Sequence, residues 1–381
     1  MTLLNKAITV VLEKPLYGGY CLGRHEGKAI MIPRAVPGET VRARIHEEKK
    51  DFCFGAVEEI VDGCGFRTRP ACDHFESCGG CSYLHLPYEK ELEFKKSILI
   101  DCLTRNADMA SAQLPEIGVM SGDRFRYRSH ASIKVRDSSH GFYRKGTNDL
   151  VPFHDTGCLL LADELNDWMR RNEPPRSNYR AAVDSSNRVI TSENDHPEVI
   201  EKTGGLTFSR RIHQFFQANR FLRGTMQEIV ADEAEIGGDE SFLDIGCGVG
   251  FFTLYLAQLM KEGTGVDISR ESILCAKRNA GINRIRNAEF QHTASARIHP
   301  SRIRPGLIVI DPPRAGIDRK TRKTMLAMSP DRMVYVSCNP TTFSRDAREF
   351  IAGGYRMDRL KLIDMFPCTH HIEVIARFAR R

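Results

Sequence analysis

The 381-residue sequence predicts an α/β protein whose last part is a doubly wound, mostly parallel sheet, preceded by a small β-barrel and a mixed α+β central region. Three observations predict it. From about Gly204 onward, β-rich runs alternate with helical ones (SFLDIG, FFTLYLAQLM, TGVDIS, ESILCAKRNAGI, AEFQHT, GLIVIDPP, RMVYVSCNP). That alternation lays parallel strands between helices on both faces. Residues 1–62 instead alternate short strand-like runs with the turns YGG and VPGE, the spacing of hairpins closing into an OB-like barrel. Between them, residues 63–203 combine one helical run, YEKELEFKKSILIDCLTRN, with strand-like runs around RYRSHASIKVR, GFYRKGT and DLVPF.

The length exceeds one ordinary core, and 41% hydrophobic residues suffice for the three domains expected, 1–62, 63–203 and 204–381. No run of about eighteen uncharged apolar residues occurs, and Lys6 and Glu13 flank a short apolar stretch at the start. Neither a membrane span nor a signal peptide is expected, and the compartment expected is the cytoplasm. Thiols stay reduced there, so the 12 cysteines are no disulfide framework, and any cluster of them needs another reason. Net charge is +6, and between Arg270 and Lys323 13 Lys/Arg stand against 4 Asp/Glu. Such density suits a polyanion such as RNA, or a solvated helical face.

In the central region, a strand over residues 124–136 would place Arg124, Arg126 and Arg128 on one face, as a ladder tracking phosphates or as a charged edge. The segment ACDHFESCGGCSYLH sets Cys72, Cys78 and Cys81 at C-x5-C-x2-C spacing, with Cys158 the best fourth ligand. Three close thiols and a remote one suit an iron–sulfur cluster or zinc; the unequal spacing favours [4Fe–4S]. His74 and His85 could serve as zinc ligands, but are read in preference as polar surface residues.

In LDIGCGVGFF, an apolar strand carrying Asp244 runs into Gly246, Gly248 and Gly250 and then a helix, a turn whose glycines allow close approach to a ligand. Asp267 ends the next strand, placed to accept hydrogen bonds from a ribose. The D-x-G-x-G-x-G wording with D-P-P at the fourth strand favours S-adenosylmethionine over a dinucleotide, since the sulfonium compound has no pyrophosphate to hold.

Asp311 ends the fourth strand and Cys338 follows the fifth, so both should face the ligand crevice. A cysteine at a strand's carboxyl edge in the most basic part of the chain is expected to be held partly as thiolate and to act as a nucleophile. Thiolate addition at carbon 6 of a pyrimidine would make carbon 5 nucleophilic enough to take a methyl group. A base must then remove the carbon-5 proton, and Glu373 in HHIEVIARF is the candidate, with a pKa raised by partial burial. Cys247 and Cys275 are read as packing residues.

Taken together, PLYGGYCLGRHEGKAIMIPRAVPGETVRARI, CDHFESCGGC with Cys158, FFQAN, DPPRAG, SCNPTTFSRD and HHIE resemble the RNA uracil-5-methyltransferase family over nearly the whole chain. The resemblance implies a TRAM barrel that binds RNA, a cluster-bearing central domain and a Rossmann-like class I S-adenosylmethionine-dependent methyltransferase domain. It implies that Gln217, Gly246, Phe251, Asp267 and Asp311 bind the methyl donor and that Phe215 approaches the target base. Cys338 would be the nucleophile and Glu373 the base; Arg126 and Arg128 are expected to contact RNA. The chain departs from the family at Gly246, at Phe251 and near Ala294. The cluster resembles the 23S rRNA-directed branch, with tRNA uridine 54 the alternative substrate and a non-catalytic RNA-binding protein a further one. A monomer that contacts no membrane is expected.

Overall fold

The computed structural model describes residues 2–154, 156–195, 197–237, 239–298 and 304–381. The chain divides into two compact units, one of residues 1–101, 142–151 and 366–371, the other of residues 102–141, 152–365 and 372–381.

In the first unit, β1 (Ala7–Leu16), β2 (Tyr20–His25), β3 (Lys28–Pro33), β4 (Thr40–Glu48) and β5 (Phe52–Asp62) close into a barrel in the order β1-β2-β3-β5-β4. Alternation explains it: Ile8, Val10 and Leu12 of β1 point inward between exposed neighbours, and Val41 and Ala43 of β4 meet them across the ladder. Gly18, between β1 and β2, has φ 95°, a left-handed turn conformation that glycine adopts without strain. The helix α1 (Tyr88–Asn106) covers the helical run expected from sequence. Its Lys95 Nζ donates to Glu91 Oε1 at 2.8 Å, one turn away, with both side chains fully buried. The Phe366 carbonyl accepts a second bond from Lys95, and the Cys368 amide donates to Glu91, so neither buried charge is left unpaired.

After α1 the chain continues through β6 (Ile117–Met120), β7 (His130–Arg136), β8 (Ser139–Tyr143), β9 (Leu150–Pro152), α2 (Asp163–Arg171), β10 (Tyr179–Val183) and β11 (Val189–Thr191), of which the end of β8 and most of β9 belong to the first unit and the others to the second. β10 pairs antiparallel with both β7 and β11. A hairpin of β12 (Glu198–Thr203) and β13 (Leu206–Arg211) then turns at Gly204 and Gly205, both at positive φ. The remainder alternates as expected: α3 (Arg223–Ala234), β14 (Ser241–Ile245), α4 (Phe251–Ala257), β15 (Glu262–Asp267), α5 (Arg270–Ile282), β16 (Ala288–His292), β17 (Leu307–Ile310), α6 (Arg319–Met328), β18 (Arg332–Ser337), α7 (Pro340–Ala352), β19 (Tyr355–Ile363) and β20 (Glu373–Arg380).

Eight strands form one sheet in the order β16-β15-β14-β17-β18-β20-β19-β6. The five from β16 to β18 are parallel, and β20 runs antiparallel between β18 and β19. Strand order reverses between β14 and β17, which opens a crevice at their carboxyl ends. β17 is buried at every position, as an apolar run covered on both faces must be. Among the described residues no helix is long and apolar enough to cross a membrane.

Candidate active site

The loop after β14 is shaped by its glycines. Gly246, Gly248 and Gly250 have φ of 81°, 54° and 89°, and a Cβ at Gly246 would come within 3.3 Å of the Asp311 carbonyl oxygen. The amides of Gly246 and Cys247 both donate to the Val266 carbonyl, tying the loop to the end of β15. Asp267 accepts the Gly248 amide on Oδ2 at 2.9 Å and the Ser269 amide on Oδ1 at 2.7 Å. Its carboxylate is thereby fixed at the mouth of the crevice. Behind it, Asp244 is buried and accepts the Thr253 hydroxyl, and burial pushes its pKa up to about 7.

Across the crevice stand Gln217 and Asp311. The buried Gln217 donates from Nε2 to Asp311 Oδ2 at 3.4 Å. Desolvation raises Asp311 to about 7, and the charge of Asp244 adds to the shift. Cys338 directly follows β18, half-buried, and Glu373 opens β20 with only 3% of its surface exposed. Glu373 is therefore a buried carboxyl rather than a surface one. Burial raises its pKa well above the carboxylate range, the Asp311 charge raises it further, and Arg314 opposes both.

The expectation of a thiolate at Cys338 is overturned for the chain alone. Burial pushes the thiol up to about 12, with Glu373 and Asp311 adding to the shift and Arg314 countering it. Regional basic density misled here because burial, and after it the charges of Glu373 and Asp311, outweigh Arg314 at the sulfur. Arg314 is the residue that sequence reasoning missed, although it stands in DPPRAG. Its carbonyl accepts from Asn339 Nδ2 at 3.0 Å and from the Thr342 hydroxyl at 3.2 Å, which binds the loop after β17 to the start of α7. Asn339 also caps α7, accepting the Thr341 amide, with Pro340 at the first helical position.

A second buried centre holds that loop from behind. Asp346 is fully buried and accepts from the Tyr335 hydroxyl, the Ile317 amide and Arg322 Nη1 at 2.8, 2.9 and 2.8 Å. On the other side of the crevice, Glu201 accepts from both Arg210 and Arg223, and the two guanidinium groups lie 5.5 Å from the centre of the Phe216 ring. Phe251 closes the same nest with its ring 5.3 Å from that of Phe216. Phe216 is thus immobilised between its neighbours: Gln217 turns inward to Asp311, and Phe215 projects with 73% of its surface exposed.

Residues 124–129 lie before β7 and are not strand, so the expected one-faced arginine ladder does not form. Arg126, at φ 57°, donates to the Cys158 carbonyl and pairs with Asp163, while Arg128 Nε donates to the His130 carbonyl. Within the basic stretch between Arg270 and Lys323, residues 299–303 lie outside the described residues. Cys275 is buried and donates to the Ser209 carbonyl, and Cys247 is buried in the glycine loop, as packing residues would be.

Cys72, Cys78, Cys81 and Cys158 are half-buried and in no disulfide, and the Gly80 amide donates to Cys78 Sγ at 3.4 Å. Among the described residues no three His, Cys, Asp or Glu side chains are gathered as a metal requires. His74 and His85, expected at the surface, are buried, and burial lowers His85 to about 3.

Residues 297–380 match the family model described as tRNA (Uracil-5-)-methyltransferase, and residues 236–299 match a general methyltransferase domain. An uncharacterized RNA methyltransferase of Aquifex aeolicus is 32% identical over 423 aligned residues, covering 98% of each chain. The 23S rRNA (uracil(1939)-C(5))-methyltransferase RlmD of Aeromonas hydrophila is 31% identical, covering 94% of this chain and 93% of that one. Among solved structures, a Pyrococcus abyssi tRNA (uracil-54, C5)-methyltransferase in complex with S-adenosyl-L-homocysteine superposes with TM-score 0.75 at 22% identity, over 97% of this chain and 99% of that one. The fold is that of a class I methyltransferase with an N-terminal five-stranded closed barrel. With two relatives above 30% identity over nearly their whole length, and a family model that matches residues 297–380, the chain belongs to the RNA uracil-5-methyltransferase family.

Proposed function

We propose that this protein methylates carbon 5 of a uridine in 23S rRNA through a transient bond between Cys338 and carbon 6 of the base. The observation that carries the reading is the meeting of a thiol, two carboxyls of raised pKa and one arginine at the carboxyl ends of β17 and β18, beside the glycine loop. The preference for 23S rRNA rests on the relative RlmD.

S-adenosylmethionine supplies the methyl group when bound. Gly246, Asp267, Asp311 and Gln217 are the proposed residues of its site, with Phe251 behind them; glycine at 246 lets the loop lie against the Asp311 carbonyl, where a Cβ would crowd it. Phe215 is proposed to meet the target base, which must leave its stack to reach the crevice. Arg126 and Arg128 are proposed RNA contacts on the approach to it.

The chain's own part has three steps. The Cys338 thiol gives its proton to solvent water and adds to carbon 6, with the electron pair of the carbon–carbon double bond moving onto carbon 5 and the adjoining carbonyl. Carbon 5 takes the methyl group and then holds both methyl and hydrogen. Glu373, as carboxylate, removes that hydrogen as a proton, the double bond re-forms and sulfur departs as thiolate. The substrate-free thiol is protonated, so the base itself must complete the activating surroundings on entering. Charge on Arg314 favours the thiolate at that moment.

We further propose that residues 1–62 serve as a TRAM-type RNA-binding barrel, with 63–203 as a central domain and 204–381 as the catalytic domain, acting as a monomer in the cytoplasm. The thiols Cys72, Cys78, Cys81 and Cys158 are proposed ligands of a [4Fe–4S] cluster, zinc being the alternative, on the strength of their spacing and of the amide turned toward Cys78. No step of methyl transfer runs through that cluster. Iron content and visible absorption of anaerobically purified protein test it.

Incubation with labelled methyl donor and separate transcripts of 23S rRNA and tRNA tests the function. Methyl incorporation into 23S rRNA as 5-methyluridine is the expected result. Incorporation into tRNA alone would move the reading to uridine 54, and incorporation into neither would overturn it.

A further inference from the structure

Three aromatic rings lie on the barrel without belonging to its core. Phe52 and Phe54 of β5 flank the inward-facing Cys53, and both are half-buried. Their ring centres are 5.5 Å apart and nearly perpendicular, and Phe54 is 5.3 Å from Tyr20 of β2. Met31 of β3, which pairs with both Leu22 and Phe54, is half-buried beside them. The apolar cluster that fills the barrel is complete without any of the four.

Cations border this stripe. Lys145 Nζ sits 4.3 Å from the centre of the Tyr20 ring and donates to the Gly18 carbonyl. Arg34 and Arg144 lie close enough for their charges to act on each other, and Arg34 also acts on Lys145. The nearby carboxylates are already engaged: Glu47, opposite Phe54 in the β4 ladder, pairs with Lys49, and Glu48 pairs with Lys28. Partly exposed rings interleaved with basic side chains on a small barrel match the physical needs of an unpaired nucleic acid strand. Each base offers a face to stack, and each phosphate needs a positive charge.

We propose that Tyr20, Phe54 and Phe52 form a base-stacking stripe for a single-stranded stretch of RNA, with Lys145 and Arg144 holding its phosphates. This rests on RNA being the substrate and assigns the residues through which the barrel takes hold of it. Because stacking reads no base edge, the stripe tolerates many sequences and contributes affinity rather than choice of uridine.

The test is fluorescence anisotropy of the full chain with a labelled oligouridine of about 12 nucleotides, without methyl donor, across a salt series. Replacing Tyr20 and Phe54 together by leucine keeps the apolar bulk and removes the ring faces. It is expected to weaken binding about tenfold or more with no change in salt dependence. Lys145→Gln is expected to flatten the slope of log affinity against log salt by about 0.7. Phe54→Trp is expected to bind like the parent and to lose indole emission when RNA is added. Unchanged affinity in the double leucine variant, with no quenching in Phe54→Trp, would overturn the proposal. Since none of these readings uses methyl transfer, failure of the stripe and failure of the proposed activity are separately visible.

Discussion

Cys338 and Glu373 lie at the same end of one strand pair. Ser337, the last residue of β18, pairs with Val374 of β20, so Cys338, the residue after it, and Glu373, the residue before Val374, flank the last pair of that ladder. Burial raises the Cys338 pKa most, and the nearby Glu373 charge raises it further.

Replacing Cys338 by alanine is expected to lower methyl transfer by about three orders of magnitude or more, since no other nucleophile can take its place. RNA carrying 5-fluorouridine, whose carbon 5 cannot lose a proton, should form a denaturant-stable complex with the parent protein and none with this variant.

Glu373→Gln should separate the steps. The adduct forms and methyl is received, but the carbon-5 proton stays, so the covalent complex is expected to accumulate on ordinary RNA while turnover disappears. In the parent, activity should fall as pH drops through the raised pKa of Glu373, because only its ionised form accepts the proton. The acid limb of the pH profile is therefore expected well above about 4.3, the ordinary glutamate value.

Two substitutions should move the thiol in opposite directions. Asp311→Asn removes a negative neighbour and should speed alkylation of Cys338 by iodoacetamide, while Arg314→Gln removes the counteracting charge and should slow it. Mass spectrometry of the peptide holding Cys338 gives the rate for this thiol apart from the other cysteines.

Gly316→Ala should disturb the loop after β17. Gly316 has φ 74°, and a Cβ there would meet Arg345 Nη2 at 2.6 Å and Asp346 Oδ2 at 2.7 Å. A loss of about 1–3 kcal/mol of stability is expected, visible as a lower melting temperature, with methyl transfer falling further than stability accounts for.

Asp244 gives a pH-dependent stability. Its pKa is raised in the folded chain to about 7, so between the unfolded value of 3.8 and that point the native state holds a proton that the unfolded state has lost. Stability from this group is full below the unfolded value and declines as pH rises through the folded one. The Asp244→Asn variant should therefore gain on the parent between about pH 5 and about pH 8 in melting temperature.

The alternation of strands and helices made the large sheet legible from sequence, because each run's burial depends on its own period. The glycine loop and the positions of Asp311 and Cys338 at strand ends were legible for the same reason. The protonation of Cys338 was not, since it depends first on burial of the thiol and then on Glu373, far along the chain, brought near through an antiparallel return. Nor could the nest of Glu201, Arg210, Arg223 and Phe216 be read: it joins a hairpin to a helix, and nothing in either segment signals the other. The arginine run at 124–128 looked periodic, yet Arg126 takes a left-handed conformation and breaks the strand before it starts.

The first unit includes residues 366–371, the six that lead into Ile372 and Glu373. Ser82 and Tyr83 both donate backbone bonds to the carbonyl of Cys368 there, and Glu91 holds its amide. The chain is laced: the segment leading into Glu373 is stitched to the amino-terminal third. Severing that third would not release an autonomous enzyme but would unpick the entrance to its last strand, so truncation and barrel swapping are poor routes to a minimal catalyst.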